Sequence, residues 1–390
     1  MRILGLATLL ALTLGCRPPA SEAPVERVAE ALRGSGGAGF ARAIAPREFT
    51  FPADHGPHED FEVEWWYFTG HLATAEGERF GYQLTFFRRA LVPPDAPPET
   101  PARSSAWATR QVYLGHFALA DIDGGRFYFS ERLGRGAVGL AEARAEPFRV
   151  AVAEWSAETS GPAAEPTGLL PLRLQAKDGD VALDLTLALD KPLVLHGDRG
   201  LSRKGGGTGA ASYYYSFPRL TTTGEVSRGA SRFGVTGQSW LDREWSSGSL
   251  AADQVGWDWF SIQLDDRREL MLFELRSRDG RPETTTRAGT LVAADGSVRA
   301  FEPPAGALEV LDHWTSPRTG ARYPARWSWR LPELGLDLEV VPLLAEQELD
   351  LGFRYWEGAV AVAGTSHGAP IRGRGYVELT GYGGKAHPGR

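Results

Sequence analysis

The chain repeats itself. Trp65-Trp66-Tyr67-Phe68, followed by Leu72 and Phe86-Phe87-Arg88, recurs as Trp257-Asp258-Trp259-Phe260, followed by Leu264 and Phe273-Glu274-Leu275-Arg276. Residues 149–155 parallel residues 309–314, and Leu183-Asp184-Leu185 parallels Leu336-Asp337-Leu338, each ahead of a Pro-Leu pair, Pro192-Leu193 and Pro342-Leu343. Residues 235–242 close the first series as residues 371–378 close the second. Five segments in one order imply two copies of one domain, because self-similarity constrains architecture before any single motif does. Asp242 and Glu378 should then occupy equivalent points on equivalent strands.

The repeated unit reads as β. Beyond Phe49 the chain runs in short alternating stretches cut by Gly, Asp and Pro, such as residues 82–87 and 183–187, with no convincing amphipathic helix. The expected class is all-β, with two tandem domains at 48–245 and 246–390 related by internal duplication. Each copy, at about 150–190 residues, is the size of a closed or nearly closed barrel of about eight to ten strands whose lumen holds one small ligand.

Ahead of the barrels, Met1-Arg2 precedes an apolar run from Ile3 to Leu14 and then Gly15-Cys16, too short to span a bilayer and suited to a signal peptide over 1–15. The small residue before the only cysteine resembles a lipoprotein lipobox. This predicts lipidation of Cys16 and anchoring in the bacterial envelope facing the periplasm; cleavage without lipidation, giving a soluble periplasmic protein, is the alternative. Residues 16–47, rich in Ala, Pro, Gly and Glu, suit a flexible tether with one short helix at residues 25–32. A single cysteine excludes disulfides and Cys-based zinc sites. A formal charge of −7 leaves no basic field for nucleic acid.

Residues 54–58 (Asp-His-Gly-Pro-His) leading into 64–70, then Ser212-Tyr213-Tyr214-Tyr215-Ser216-Phe217-Pro218-Arg219, residues 237–245 and residues 256–260 resemble the lipocalin-like family of carotenoid 1,2-hydratases, or hydroxyneurosporene synthases. The similarity is greatest to its secreted bacterial branch, labelled a hydrolase or the AttH component of an ABC transport system. It spans residues 48–382 and implies lipocalin-like barrels, a hydrophobic isoprenoid or lipid-like ligand, no cofactor, and an ABC transporter as a partner in the envelope. The acid proposed for those hydratases lies in a Tyr-x-Asp strand, which falls on Asp242 with Trp240 in place of the Tyr. Their His-x-Trp pair falls on Tyr213 and Tyr215, a departure that removes the histidine.

Alternation along residues 240–244 independently places Trp240, Asp242 and Glu244 on one face. A carboxyl group facing an aromatic-lined lumen is desolvated, stays protonated near neutrality and can protonate an alkene, whose cation aromatic faces would stabilise. The expected site is therefore Asp242 as acid, with Trp240, Tyr213, Tyr215, Trp257, Trp259, Trp65 and Tyr67 lining it. Pairing of Asp242 with Arg243, Arg219 or a backbone donor, bracing the domain junction, is the structural alternative. A carrier or accessory lipoprotein holding a hydrophobic ligand is the alternative function.

Other motifs carry less. His55, His58, Glu59 and Asp60 sit in a turn without a second histidine pair, which suits closure of a barrel end better than a metal, and no metal site is expected. Gly364-Thr365-Ser366-His367-Gly368 fits the G-x-S-x-G pattern but lies between two strands and reads as a hairpin loop. The run Gly205-Gly206-Gly207-Thr208-Gly209 lacks the lysine and helix of a phosphate loop and reads as a loop at the barrel mouth. His71, His116 and His196 read as isolated core or loop histidines.

Overall fold

The computed structural model describes residues 38–96, 108–248, 251 and 253–382. The segment expected to be a signal peptide, Cys16, and the expected tether up to residue 37 lie outside the described residues. Among the described residues no helix is long and apolar enough to cross a membrane.

The first sheet contains β1 (Val63–Ala73), β2 (Arg79–Ala90), β3 (Gln111–Asp121), β4 (Arg126–Arg135), β5 (Ala141–Ala145), β6 (Phe148–Val152), β7 (Trp155–Thr159), β8 (Leu172–Asp178), β9 (Val181–Leu189), β10 (Val194–Leu195), β11 (Leu201–Arg203), β12 (Ala211–Arg228) and β13 (Ser231–Ser246). The second contains β14 (Gln254–Leu264), β15 (Glu269–Ser277), β16 (Thr286–Val292), β17 (Val298–Phe301), β18 (Leu308–Thr315), β19 (Arg322–Leu331), β20 (Leu336–Pro342), β21 (Glu348–Asp350), β22 (Arg354–Ser366) and β23 (Ala369–Thr380).

Strand order confirms the duplication. The first sheet runs β4-β3-β2-β1-β13-β12-β9-β8-β7-β6-β5 and the second β17-β16-β15-β14-β23-β22-β20-β19-β18, so β1 matches β14, β13 matches β23 and β12 matches β22. Tyr67 pairs with Asp242 as Trp259 pairs with Glu378, which places both acids at equivalent points. One of the five sequence matches is displaced: residues 149–155 fall largely on β6, whereas β18, counted outward from β20, stands where β7 does. The first copy has extra outer strands, and the mostly exposed β18 carries little apolar pattern to fix the alignment.

Together these are two lipocalin-like domains, a nearly closed barrel and a half-barrel sheet. In the first, the edge strands β4 and β5 come together where Gly134 meets Ala141, so closely that a Cβ on the glycine would stand 2.7 Å from the alanine's. The barrel interior is packed rather than open, filled by Trp66, Phe68, Trp155, Tyr215 and Trp245 among others. Among the described residues, the open aromatic-lined lumen expected of this barrel is therefore not found in its core.

The Asp-His-Gly-Pro-His segment closes one end of this barrel. His55 Nδ1 lies 2.6 Å from Tyr215 Oη, and the backbone carbonyl of His55 accepts from Trp66 Nε1 at 2.8 Å. His58 stacks on Trp245 with ring centroids 3.7 Å apart. The G-x-S-x-G segment is the β22–β23 hairpin, with Ser366 opposite Ala369 and φ of +48° and +82° at His367 and Gly368, the left-handed pair a tight two-residue turn requires.

A pocket of carboxyl groups between the two domains

The central strands of each sheet bury both faces. In β1, Trp66 and Phe68 enter the first barrel while Tyr67, flanked by Trp65, packs against the other domain; in β14, Phe260 points into the second core while Trp259, flanked by Trp257, turns back toward the first. The contact is sewn by polar bonds. His71 Nε2 lies 2.7 Å from Gly375 O, Gln263 Nε2 donates to Pro218 O at 2.9 Å, and Lys191 Nζ lies 2.8 Å from Glu269 Oε2.

Between the domains lies a pocket whose walls come from matching positions of the two copies. Trp65 matches Trp257, Tyr67 matches Trp259, Tyr214 matches Tyr355, and Asp242 matches Glu378. The rest of the wall includes Gln83, Phe273, Lys204, Glu244 and Glu357. The Gly205–Gly209 run forms the turn between β11 and β12, and the residue before it, Lys204, faces inward. Lys204 Nζ stands 2.9 Å from Glu244 Oε1 and 4.2 Å from the centroid of Phe273.

Asp242 is 3% exposed. Its Oδ1 accepts from Trp240 Nε1 at 2.6 Å and from Ser216 Oγ. Ser216 in turn lies 2.6 Å from His196 Nε2, whose Nδ1 is 2.9 Å from Thr290 Oγ1. Burial pushes His196 down to about 3, so it is neutral; with the serine proton committed to Asp242, the network assigns its N–H to Nε2. Burial pushes the Asp242 carboxyl up to about 7, against bonds from Ser216, Trp240 and Tyr214 that pull it down, with Glu244 adding to the rise.

Two more acids share this environment. Burial pushes Glu378 up to about 7, against a bond from Trp257 and with Glu244 and Asp242 adding to the rise. Burial, then the charge of Glu378, lifts Glu357 well above the ordinary range for a glutamate, while Tyr67 Oη donates to its Oε1 at 2.5 Å. Its Oε2 has no hydrogen-bond partner among the described residues. Behind the wall, His116 Nδ1 lies 2.7 Å from Tyr355 Oη and its Nε2 3.0 Å from Oε2 of the partly exposed Glu131, a chain leading from the surface to the pocket. Among the described residues no cluster of three His, Cys, Asp or Glu side chains has metal-binding geometry.

The AttH-like family model matches residues 42–382. This chain belongs to the AttH-like family. A Nitrosomonas europaea protein provisionally assigned as AttH superposes with a TM-score of 0.74 at 36% identity, over 88% of this chain and 100% of that one. Kievitone hydratase from Nectria haematococca shares the fold at a TM-score of 0.65 and 16% identity, over 88% and 96% of the two chains. CghA bound to Sch210972 shares it at 0.53 and 13%, over 89% and 97%. No curated protein matches the chain.

In this AttH-like chain Asp242, Trp65, Tyr67, Trp257 and Trp259 meet in the pocket, and Trp240 lies behind it with its indole N–H on Asp242. Asp242 makes no salt bridge with Arg243 or Arg219 among the described residues; those arginines bond Glu64 and Glu269. Tyr213 and Tyr215 lie on the opposite face, inside the first barrel. The reason is a bulge. From the β12–β13 hairpin up to Leu220–Ser239 the register would set Asp242 opposite Phe217, with Tyr215 and Tyr213 on its face; Pro218 and Arg219 then oppose Trp240 alone, so Ser216 meets Asp242 and Tyr214 meets Glu244. Pro218 inside a strand is the sequence signal for that bulge.

Replacing Ser216 with Ala removes a bond that favours the ionised acid. The Asp242 carboxyl in Ser216→Ala should titrate above the wild-type value of about 7, followed by carbon NMR of labelled aspartate. A titration at or below the wild-type value would show that this bond does not hold the carboxylate.

Proposed function

We propose that this protein is an acid-catalysed hydratase or isomerase acting on an apolar, alkene-bearing molecule in the interdomain pocket. The carrying observation is Asp242: fully buried, bonded only to neutral donors, and raised to about 7, so that much of it is protonated at neutral pH. Its proton passes to an alkene carbon, forming a C–H bond and leaving a carbon cation faced by the indoles of Trp65, Trp257 and Trp259. Water adds to that cation and returns a proton to the carboxylate, for a net addition of water; loss of a neighbouring C–H proton instead gives an isomer. The Glu131–His116–Tyr355 chain offers a route for protons between solvent and pocket. That a protein of the same fold is named a hydratase is consistent with this chemistry. In this reading the chain works in the cell envelope, tethered through Cys16.

The test begins with native mass spectrometry of protein purified from its own cells, followed by solvent extraction of the bound molecule. That molecule, returned to the protein in D2O, should acquire deuterium on one former alkene carbon. A saturated ligand, or one recovered without deuterium, would point to a carrier instead.

A further inference from the structure

Asp242, Glu357 and Glu378 line one pocket, and among the described residues none of them forms a salt bridge. The one lysine there is already matched with Glu244. Three buried carboxyl groups thus share one pocket with no cation paired to any of them among the described residues. A second, independent observation points to what is missing. Glu357 lines the pocket and is 1% exposed, and its Oε2 meets no donor among the described residues, although burying a polar atom without a partner is unfavourable. The surrounding surface is aromatic, with Trp65, Trp257 and Trp259 in the lining, the kind of wall that attracts an organic cation.

We propose that this pocket binds apolar organic cations, with an ammonium group seated among Asp242, Glu357 and Glu378 and its hydrocarbon body against the indoles. The proposal rests on the acid-catalysis reading in one respect: an ammonium ion holds permanently the charge that a protonated alkene carbon holds in passing, so the site that stabilises one should bind the other. A cation among acids that are protonated in its absence drives them to ionise, so binding should release protons to the buffer. The other titratable groups facing this cluster are Tyr67, Tyr214, Tyr355, Tyr376 beside Glu357, and the Lys204–Glu244 pair. The tyrosines, pushed above their ordinary range by burial first, remain neutral, which leaves the three acids as the source.

Geranylamine and geraniol share one hydrocarbon body and differ in charge, so calorimetric titration of the whole protein with each, at neutral pH and physiological ionic strength, separates the cation from the chain. The amine should bind at least ~10-fold more tightly than the alcohol. Its apparent enthalpy should change with the ionisation enthalpy of the buffer, with the sign of proton release. Glu357→Gln should remove the amine's advantage while keeping alcohol binding, and Glu378→Gln provides a second variant; the wild-type comparison holds even if neither variant folds. Equal affinities, or tighter binding of the alcohol, would overturn the cation site and leave the acid pocket standing. Failure of both ligands to bind would overturn the pocket as an apolar ligand site as well.

Discussion

Glu64→Gln should lower the stability of the protein by about 3–5 kcal/mol, among the largest effects expected of any isosteric change in the first barrel. Glu64 is completely buried between Arg88 and Arg243, with a salt bridge to each. Arg243 also lies over the Trp66 ring, 3.9 Å from its centroid, and donates to the carbonyl of Gly56. His58 extends the cluster, with Nδ1 3.1 Å from Glu64 and Nε2 3.1 Å from Asp54, which Arg47 caps at 2.8 Å. Glutamine preserves shape but leaves two buried guanidinium groups facing each other without an anion. Denaturant unfolding of variant and wild type measures the difference; a loss below about 1 kcal/mol would mean that the cluster does not anchor the barrel end.

The same cluster predicts a pH dependence. Burial alone would raise the Glu64 carboxyl, but Arg88 and Arg243 outweigh it and hold the group well below 4.5. A carboxyl depressed by folding contributes stability that is present above its unfolded value and lost as pH falls through the folded one. Wild type should therefore lose this contribution only below about pH 4.5, and Glu64→Gln should show a flatter acid limb.

What the sequence made legible follows from locality. The duplication was readable because the paired central strands carry large, unbroken aromatic runs, and the equivalence of Asp242 with Glu378 followed from it. Those runs held a further message. In Trp65-Trp66-Tyr67-Phe68 consecutive residues are all large and apolar, which is the pattern of a strand covered on both faces, and that is why the pocket lies between domains and not in a lumen.

The rest of the site depends on geometry that spacing does not carry. Tyr214 and Ser216 take their places only because the bulge at Pro218-Arg219 reverses the face of β12. Glu357 and Tyr355 belong to β22, and their relation to Tyr67 and His116 exists only once the two sheets are docked. His196 looked isolated because its partners, Ser216 and Thr290, lie 20 and 94 residues away.

Asp242→Asn should reduce deuterium incorporation into the bound alkene by at least ~10²-fold without lowering stability. Asparagine keeps an oxygen to accept from Ser216 and Trp240, so the local network survives, but its amide cannot deliver a proton to carbon. The stability arm works in the opposite sense from that of Glu64. Folding raises the Asp242 carboxyl from 3.8 to about 7, so its contribution is neutral while the acid is protonated in both states, and the folded state is penalised as pH climbs from 3.8 through 7. Each pH unit in that window weakens the fold by up to about 1.4 kcal/mol, a slope the variant lacks. At pH near 8 the variant should therefore melt at or above the wild-type temperature, and near pH 4 the two should converge. A variant that melts well below wild type at both pH values would make Asp242 a structural group. One that stays as active as wild type, while Glu357→Gln does not, would move the acid to Glu357, which lines the same pocket and whose Oε2 has no partner among the described residues.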